Sequence, residues 1–224
     1  MRISEIFYSI QGEGTYTGLP MVFVRFQGCP LRCTWCDSKY TWEFKGGEEL
    51  PLDAVLARVA EYPTKHICIT GGEPLAHLPD FLALAKGLKK RGYWIEVETA
   101  GAHRLPMEDS VHPSTGSGRT VPAIDSWVMD IKCPGSGMEQ HNKYAEVSRL
   151  REEDQLKFVV ADRADFDFAL RVLGEHKPRC HVLFSPVWDA VDLAALAEWV
   201  KNETPQARLS LQVHKVIWGE KRGV

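Results

Sequence analysis

The chain is predicted to be an α/β protein: a parallel sheet curved into an open, partial (βα) barrel. Two observations predict this. Short apolar runs such as His66–Thr70, Trp94–Thr99, Ser126–Ile131 and Gln155–Val160 alternate with stretches of helical period, the pattern of βα units on a parallel sheet. Length then sets a limit, because 224 residues can bury one substantial core but are too few for eight full units. A single domain spanning 1–224 is expected.

The first run, Ile3 to Tyr8, reads as a strand that ends in the glycine-punctuated turn Ser9-Ile10-Gln11-Gly12-Glu13-Gly14. Met21 to Phe26 is the first barrel strand. The loop Cys29-Pro30-Leu31-Arg32-Cys33-Thr34-Trp35-Cys36 leaves its carboxyl end, where such folds place reactive groups. Leu50–Tyr62, Pro79–Arg91, Asp165–Leu173 and Leu193–Asn202 carry apolar residues at helical spacing. Cys180–Phe184 and Leu209–Gly219 read as further strands. Between about 107 and 122 periodicity gives way to small polar residues, a flexible insertion. Lys143 and the charges of Arg149 to Asp154 read as a solvated helix face, and His77 as surface.

Composition excludes several function classes. Lys and Arg number 27 against 30 Asp and Glu, a net charge of −3 with mixed signs, so no basic footprint for nucleic acid is present. Neither a signal peptide's apolar stretch nor a membrane span is found, which predicts a cytoplasmic protein with no membrane partner. Six cysteines, three in one loop, suit a reducing compartment.

That loop carries the chemistry. Cys29, Cys33 and Cys36 form a C-x3-C-x2-C pattern. A four-iron cluster ordinarily takes four thiolates, so three in one loop leave an iron open to a ligand from solution. Structural zinc is the competing reading, but it wants a matching second pair, whereas Cys68, Cys133 and Cys180 stand alone. Cys68 reads as a small buried hydrophobe, and Cys133 as a spare thiol near a strand end.

With Trp35 before its last cysteine, the motif resembles the signature of the radical S-adenosylmethionine superfamily, which implies the partial barrel of that type. The resemblance implies a [4Fe-4S] cluster on Cys29, Cys33 and Cys36, with S-adenosylmethionine chelating the fourth iron and cleaved to a 5′-deoxyadenosyl radical. It implies further cosubstrate contacts at Trp35, Cys36 and Asp37. Thr70-Gly71-Gly72-Glu73-Pro74 is similar to a second hallmark, with Gly72 at the cosubstrate's amino group. Glu98-Thr99-Ala100-Gly101 resembles the "ETNG" segment near its ribose, with Ala100 replacing Asn. Asp130, Ile131 and Lys132 lie where relatives carry Ser-Pro-Lys, beside the methionine carboxylate and ribose. Ser185, Pro186, Val187 and Trp188 align with the adenine contact.

The opening "EIF…IQGEG", with "FVRFQGC" and Cys36-Asp37-Ser38, is similar to the 7-carboxy-7-deazaguanine synthase family. That resemblance implies a lyase of 7-deazapurine and queuosine biosynthesis acting on a pterin. Ile10, Gln11 and Gly12 would line the pterin, Arg25 would pair with its carboxylate, and Thr70 and His214 would face it. Ser38 would bind Mg2+. A low-potential donor such as flavodoxin or ferredoxin, and a homodimer, are also implied. Glycyl-radical activases share the cysteine spacing but do not open with Ile10-Gln11-Gly12-Glu13-Gly14.

Overall fold

A computed structural model describes residues 1–107 and 124–224. Beyond Met107, the insertion expected at about 107–122 lies outside the described residues. The strands are β1 (Arg2–Ile10), β2 (Pro20–Phe26), β3 (Glu48–Glu49), β4 (His66–Gly71), β5 (Trp94–Thr99), β6 (Ser126–Ile131), β7 (Gln155–Val160), β8 (His181–Pro186) and β9 (Arg208–Leu209). They form one sheet in the order β3-β1-β2-β4-β5-β6-β7-β8-β9. From β2 through β9 each neighbouring pair is parallel. β3 and β9 remain edges, so the barrel is open as expected.

The parallel prediction fails at one end. β1 runs antiparallel to β2, and β3 antiparallel to β1. The connection from Ile10 to Pro20 is too short for the crossover helix that a parallel pair needs.

Helices α1 (Leu52–Ala60), α2 (Leu78–Lys89), α3 (Arg163–His176) and α4 (Leu193–Glu203) cover the convex face. Strand alternation decides what they meet. Ile67, Ile69, Ile95, Val97, Trp127, Met129, Leu156 and Phe158 enter one core with Phe81, Leu84 and Phe166 from the helices. Each such large side chain contributes about 1.5–3 kcal/mol on burial. Asp162 starts α3 by accepting the Asp165 amide at 2.9 Å, and Asp192 starts α4 by accepting that of Ala194 at 2.9 Å. Among the intervening strand residues, which face the concave side, Thr70, Glu96, Glu98, Asp130, Gln155 and Lys157 are polar.

Three expectations are corrected. Leu209–Gly219 is not one strand: the ladder to β8 ends where the Ser210 amide donates to Phe184 O at 2.8 Å, and the Val213 amide turns to Gly12 O at 2.9 Å. Beyond that point Val213–Trp218 forms the short helix α5. Arg149–Asp154 is not a solvated helix face, because Asp154 is fully buried, accepting the Trp127 amide at 2.9 Å and Arg151 Nη2 at 2.8 Å. His77 is not a bystander either: its Nε2 donates to Gln27 O at 2.7 Å, and its ring stacks on Phe26.

The loop after β1 bridges the open side of the sheet. Gly14 N donates to Ser210 Oγ at 2.9 Å and Thr15 N to Gln155 Oε1 at 2.8 Å. No helix among the described residues is long and apolar enough to cross a membrane.

Candidate active site

A cavity of about 800 Å³ opens at the carboxyl ends of the parallel strands and takes in the cysteine loop. The loop is held on three sides. Gln27 Nε2 donates to Tyr40 O at 3.0 Å and Glu43 O at 2.8 Å, while Gly28 N and Cys29 N donate to Thr41 O and Trp42 O at 2.7 and 3.1 Å. Thr34 N donates to Ser136 O at 3.1 Å in the turn after β6, and a side chain at Gly135 would press on the Trp35 ring. At Gly72 a Cβ would stand 2.5 Å from Gly28 O, so only glycine lets the end of β4 close on the loop.

Cys29, Cys33, Trp35 and Cys36 all line the cavity. Burial pushes the Cys29 thiol up to about 11 and that of Cys33 upward as well. Loading a metal therefore releases protons. Among the described residues, only Cys68, Glu96 and Glu98 gather as a trio with ligand atoms within 4.8 Å. Three thiols on one short loop at the cavity wall supply the three thiolates of a cluster with one open iron, whereas a structural zinc site wants a fourth protein ligand. Cys133 is excluded from the ligand set; it is buried in the helix-side core.

Across the strand ends, Glu73 is fully buried and accepts from Leu75 N at 2.8 Å, Ala100 N at 2.7 Å and the Thr99 hydroxyl. Burial raises its pKa. The Thr99 hydroxyl is thereby committed to the protein. Glu98 lies instead with residues assigned to the pterin, accepting from Thr70 Oγ1 at 2.8 Å and Gln11 Nε2 at 3.3 Å.

Ile10, Gln11 and Gly12 line the wall, and a Cβ at Gly12 would collide with the His214 imidazole, so the two close on each other. Arg25 donates from Nε to Glu5 Oε1 at 2.8 Å, leaving the other edge of its fork free of that contact. Tyr40 OH and Arg222 also reach Glu5, at 2.7 and 3.2 Å. Ser38 donates to Asp37 Oδ1 at 2.8 Å, and Asp37 lies 3.4 Å from Lys215.

Asp130 and Lys132 pair at 2.6 Å on the wall. Lys157 joins them, 3.3 Å from Asp130 and 2.9 Å from Glu13. Burial opposes these charges, but mutual attraction overcomes it: Lys157 is held well above the ordinary lysine range, while Asp130 and Glu13 are held below that of carboxylates. Ile131 is a correction. Its neighbours on the strand face the cavity, so alternation turns it into the core, 1% exposed. Pro186, Val187 and Trp188 line the far wall with Ser185, whose buried hydroxyl has no protein partner. A buried hydroxyl without a partner is the kind of group a bound ligand satisfies, so this wall suits the nucleoside part of S-adenosylmethionine.

Sequence reasoning missed Glu5, Glu13, Tyr40, Lys157, Gln212 and Lys215. Glu13 sits inside the quoted motif, and Lys157 interrupts an apolar run at a concave-facing position, so both carried a signal. The tail Gly219–Val224 also lines the cavity.

A partial (βα) barrel with a C-x3-C-x2-C loop at its strand ends defines a radical S-adenosylmethionine protein, and the Radical SAM superfamily model matches residues 23–109. The chain is 37% identical to the 7-carboxy-7-deazaguanine synthase of Koribacter versatilis, with both chains fully covered. It is 38% identical to that of Thermoplasma acidophilum, again over the full length of both. The crystal structure of QueE from Escherichia coli superposes with a TM-score of 0.66 at 28% identity, covering 95% of this chain and 94% of that one. The chain belongs to the 7-carboxy-7-deazaguanine synthase family.

Proposed function

We propose that the chain converts 6-carboxy-5,6,7,8-tetrahydropterin to 7-carboxy-7-deazaguanine with loss of ammonia, as a carbon–nitrogen lyase of 7-deazapurine and queuosine biosynthesis. The observation that carries this reading is that one cavity of about 800 Å³ is lined both by the loop thiols and by Arg25, Gln11, Thr70 and Glu98, a set suited to a heterocyclic acid.

Cys29, Cys33 and Cys36 would hold the [4Fe-4S] cluster, and Gly72 would present backbone to the amino group of S-adenosylmethionine. Trp35, Cys36 and Asp37 would border the cosubstrate, with Asp130 and Lys132 toward its polar half. Ser185, Pro186, Val187 and Trp188 would take its adenine. When bound, these cofactors supply a 5′-deoxyadenosyl radical that removes hydrogen from the substrate and returns it.

The polypeptide binds and orients. Arg25 offers its remaining guanidinium N–H groups to the substrate carboxylate, for which a planar fork is suited. Ile10, Gln11, Gly12, Thr70 and His214 position the ring. The ammonium of Lys157 fixes Glu13 and Asp130 across the floor. Ser38, beside the Asp37 carboxylate, would bind Mg2+, with substrate oxygens and water completing an octahedron. A flavodoxin or ferredoxin donor, a homodimer and a cytoplasmic setting belong to the same reading.

The test is anaerobic reconstitution with iron and sulfide, then incubation with S-adenosylmethionine, a low-potential reductant and the tetrahydropterin. A 7-deazapurine carboxylate in the mass spectrum is the expected result. A reconstituted, reduced enzyme that leaves the pterin unchanged would overturn the assignment.

A further inference from the structure

The tail Gly219–Val224, which has no part in the proposed reaction, brings a second guanidinium to the neighbourhood of Arg25. The two meet at Glu5. Its Oε1 accepts from Arg25 Nε at 2.8 Å and from Tyr40 OH at 2.7 Å, while its Oε2 accepts from Arg222 Nε at 3.2 Å. Glu5, Arg25, Tyr40 and Arg222 all line the cavity.

Aromatic rings hold both cations. The Arg25 guanidinium lies 5.8 Å from the centroid of the Phe7 ring, which stacks on Phe23. That of Arg222 lies 3.6 Å from the centroid of Tyr40, and its Nη2 donates to Ser4 Oγ at 3.3 Å. Hydrogens are left over. Among the described residues, neither terminal nitrogen of Arg25 has a hydrogen-bond partner, and Nη1 of Arg222 has none.

Charge points the same way. Glu5 is the one carboxylate in contact with either guanidinium, whereas Glu98 and Asp37 bear on Arg25 from farther off. Two cations therefore share a single contacting anion. Arg25 and Glu5 are only 18% and 15% exposed, so water does little to screen the imbalance there. A second carboxylate, carrying two oxygens, matches the unused N–H groups in both charge and number of acceptors.

We propose, on the pterin reading of the cavity, that Arg222 is a second contact for the substrate carboxylate. The acid group is shared between the terminal nitrogens of Arg25 and Nη1 of Arg222, and the Tyr40 ring keeps the Arg222 fork in place. The pair also selects for the acid. A pterin bearing a neutral group at that position would cover guanidinium N–H groups without pairing them, and so forgo the charge-assisted bonds that the acid makes.

The experiment titrates two fluorescent pterins, 6-carboxypterin and the uncharged 6-hydroxymethylpterin, into reconstituted wild type, Arg222→Gln and Arg222→Lys with S-adenosylmethionine present. The Arg222 side chain is 51% exposed, so both variants should fold, as circular dichroism will report. Arg222→Gln is expected to bind 6-carboxypterin about fivefold more weakly, the upper end for a charge pair that water reaches, and 6-hydroxymethylpterin within about twofold of wild type. Arg222→Lys keeps the charge and is expected to fall between the two for the acid. S-adenosylmethionine affinity and cluster absorbance should be unchanged, and in turnover KM should rise more than kcat falls. Equal weakening of both pterins would reduce Arg222 to a support for the tail and overturn the proposal. So would wild-type affinity for 6-carboxypterin in Arg222→Gln. Wild type that binds S-adenosylmethionine but neither pterin would overturn the substrate reading itself, and the proposal with it.

Discussion

Glu73 and Thr99 are joined across the ends of β4 and β5, the Thr99 hydroxyl lying 3.0 and 2.9 Å from the two oxygens of a carboxylate with no exposed surface. The same carboxylate accepts the Leu75 and Ala100 amides, so the turn beside the cysteine loop and the turn after β5 are fastened to one side chain. Glu73→Ala leaves two backbone donors and a hydroxyl without their acceptor. It should destabilise the protein by about 3 kcal/mol in urea unfolding, since each unsatisfied buried group costs about 1–3 kcal/mol. A loss below about 1 kcal/mol would show that the tie is dispensable.

Cys33→Ala removes one corner of the proposed cluster but little of the core, because Cys33 is half-buried at the cavity wall. The variant should fold, as judged by circular dichroism, while losing the brown absorbance of reconstituted protein and all turnover. Retention of four irons and their sulfide would reject this thiolate as a ligand.

The strands and covering helices were legible because apolar alternation and helical period are local signals, and the structure follows them within a few residues at β4 to β8 and α1 to α4. The antiparallel β1 was hidden, since strand direction follows from connection length rather than from strand composition. The end of β9 and the start of α5 were misread because the ladder to β8 stops at Ser210 and the Val213 amide is spent on Gly12, a partner distant in sequence. The cysteine loop announced itself by spacing. Tyr40, Arg222 and Glu5 did not, as their meeting depends on how the tail folds back over β1. Ile131 was assigned by its motif neighbours, when period-two alternation already placed it on the opposite face from Asp130.

Arg25→Lys keeps the positive charge and removes the fork. Arg25 already donates to Glu5, so a lysine ammonium must divide itself between Glu5 and the substrate carboxylate. KM for the tetrahydropterin should rise about tenfold with S-adenosylmethionine affinity unchanged, the signature of a lost bidentate contact. Equal loss of both affinities would instead mark a general disturbance of the cavity.

Ser38→Ala should lower turnover and flatten its dependence on Mg2+ while leaving the cluster spectrum intact. The hydroxyl is a weak ligand alone and needs substrate oxygens to complete the ion's shell, so the Mg2+ effect should be seen in turnover rather than in metal binding by the resting protein. An unchanged Mg2+ response would reject the assigned ligand.

Glu96 also sets a pH dependence of stability that needs no ligand to detect. Its carboxyl titrates near 8 in the folded chain against about 4.5 when unfolded, because burial and then Glu98 disfavour the anion. Between those values the folded state binds more protons than the unfolded one. Stability from this group is therefore fully present below about pH 4.5, falls as pH rises, and is lost above about 8, with a limiting slope of about 1.4 kcal/mol per pH unit. Glu96→Gln holds no titrating proton there. Urea unfolding at pH 6 and pH 8 should show wild type losing appreciably more stability than Glu96→Gln over that interval. Equal losses in the two proteins would mean that Glu96 is ionised throughout this interval.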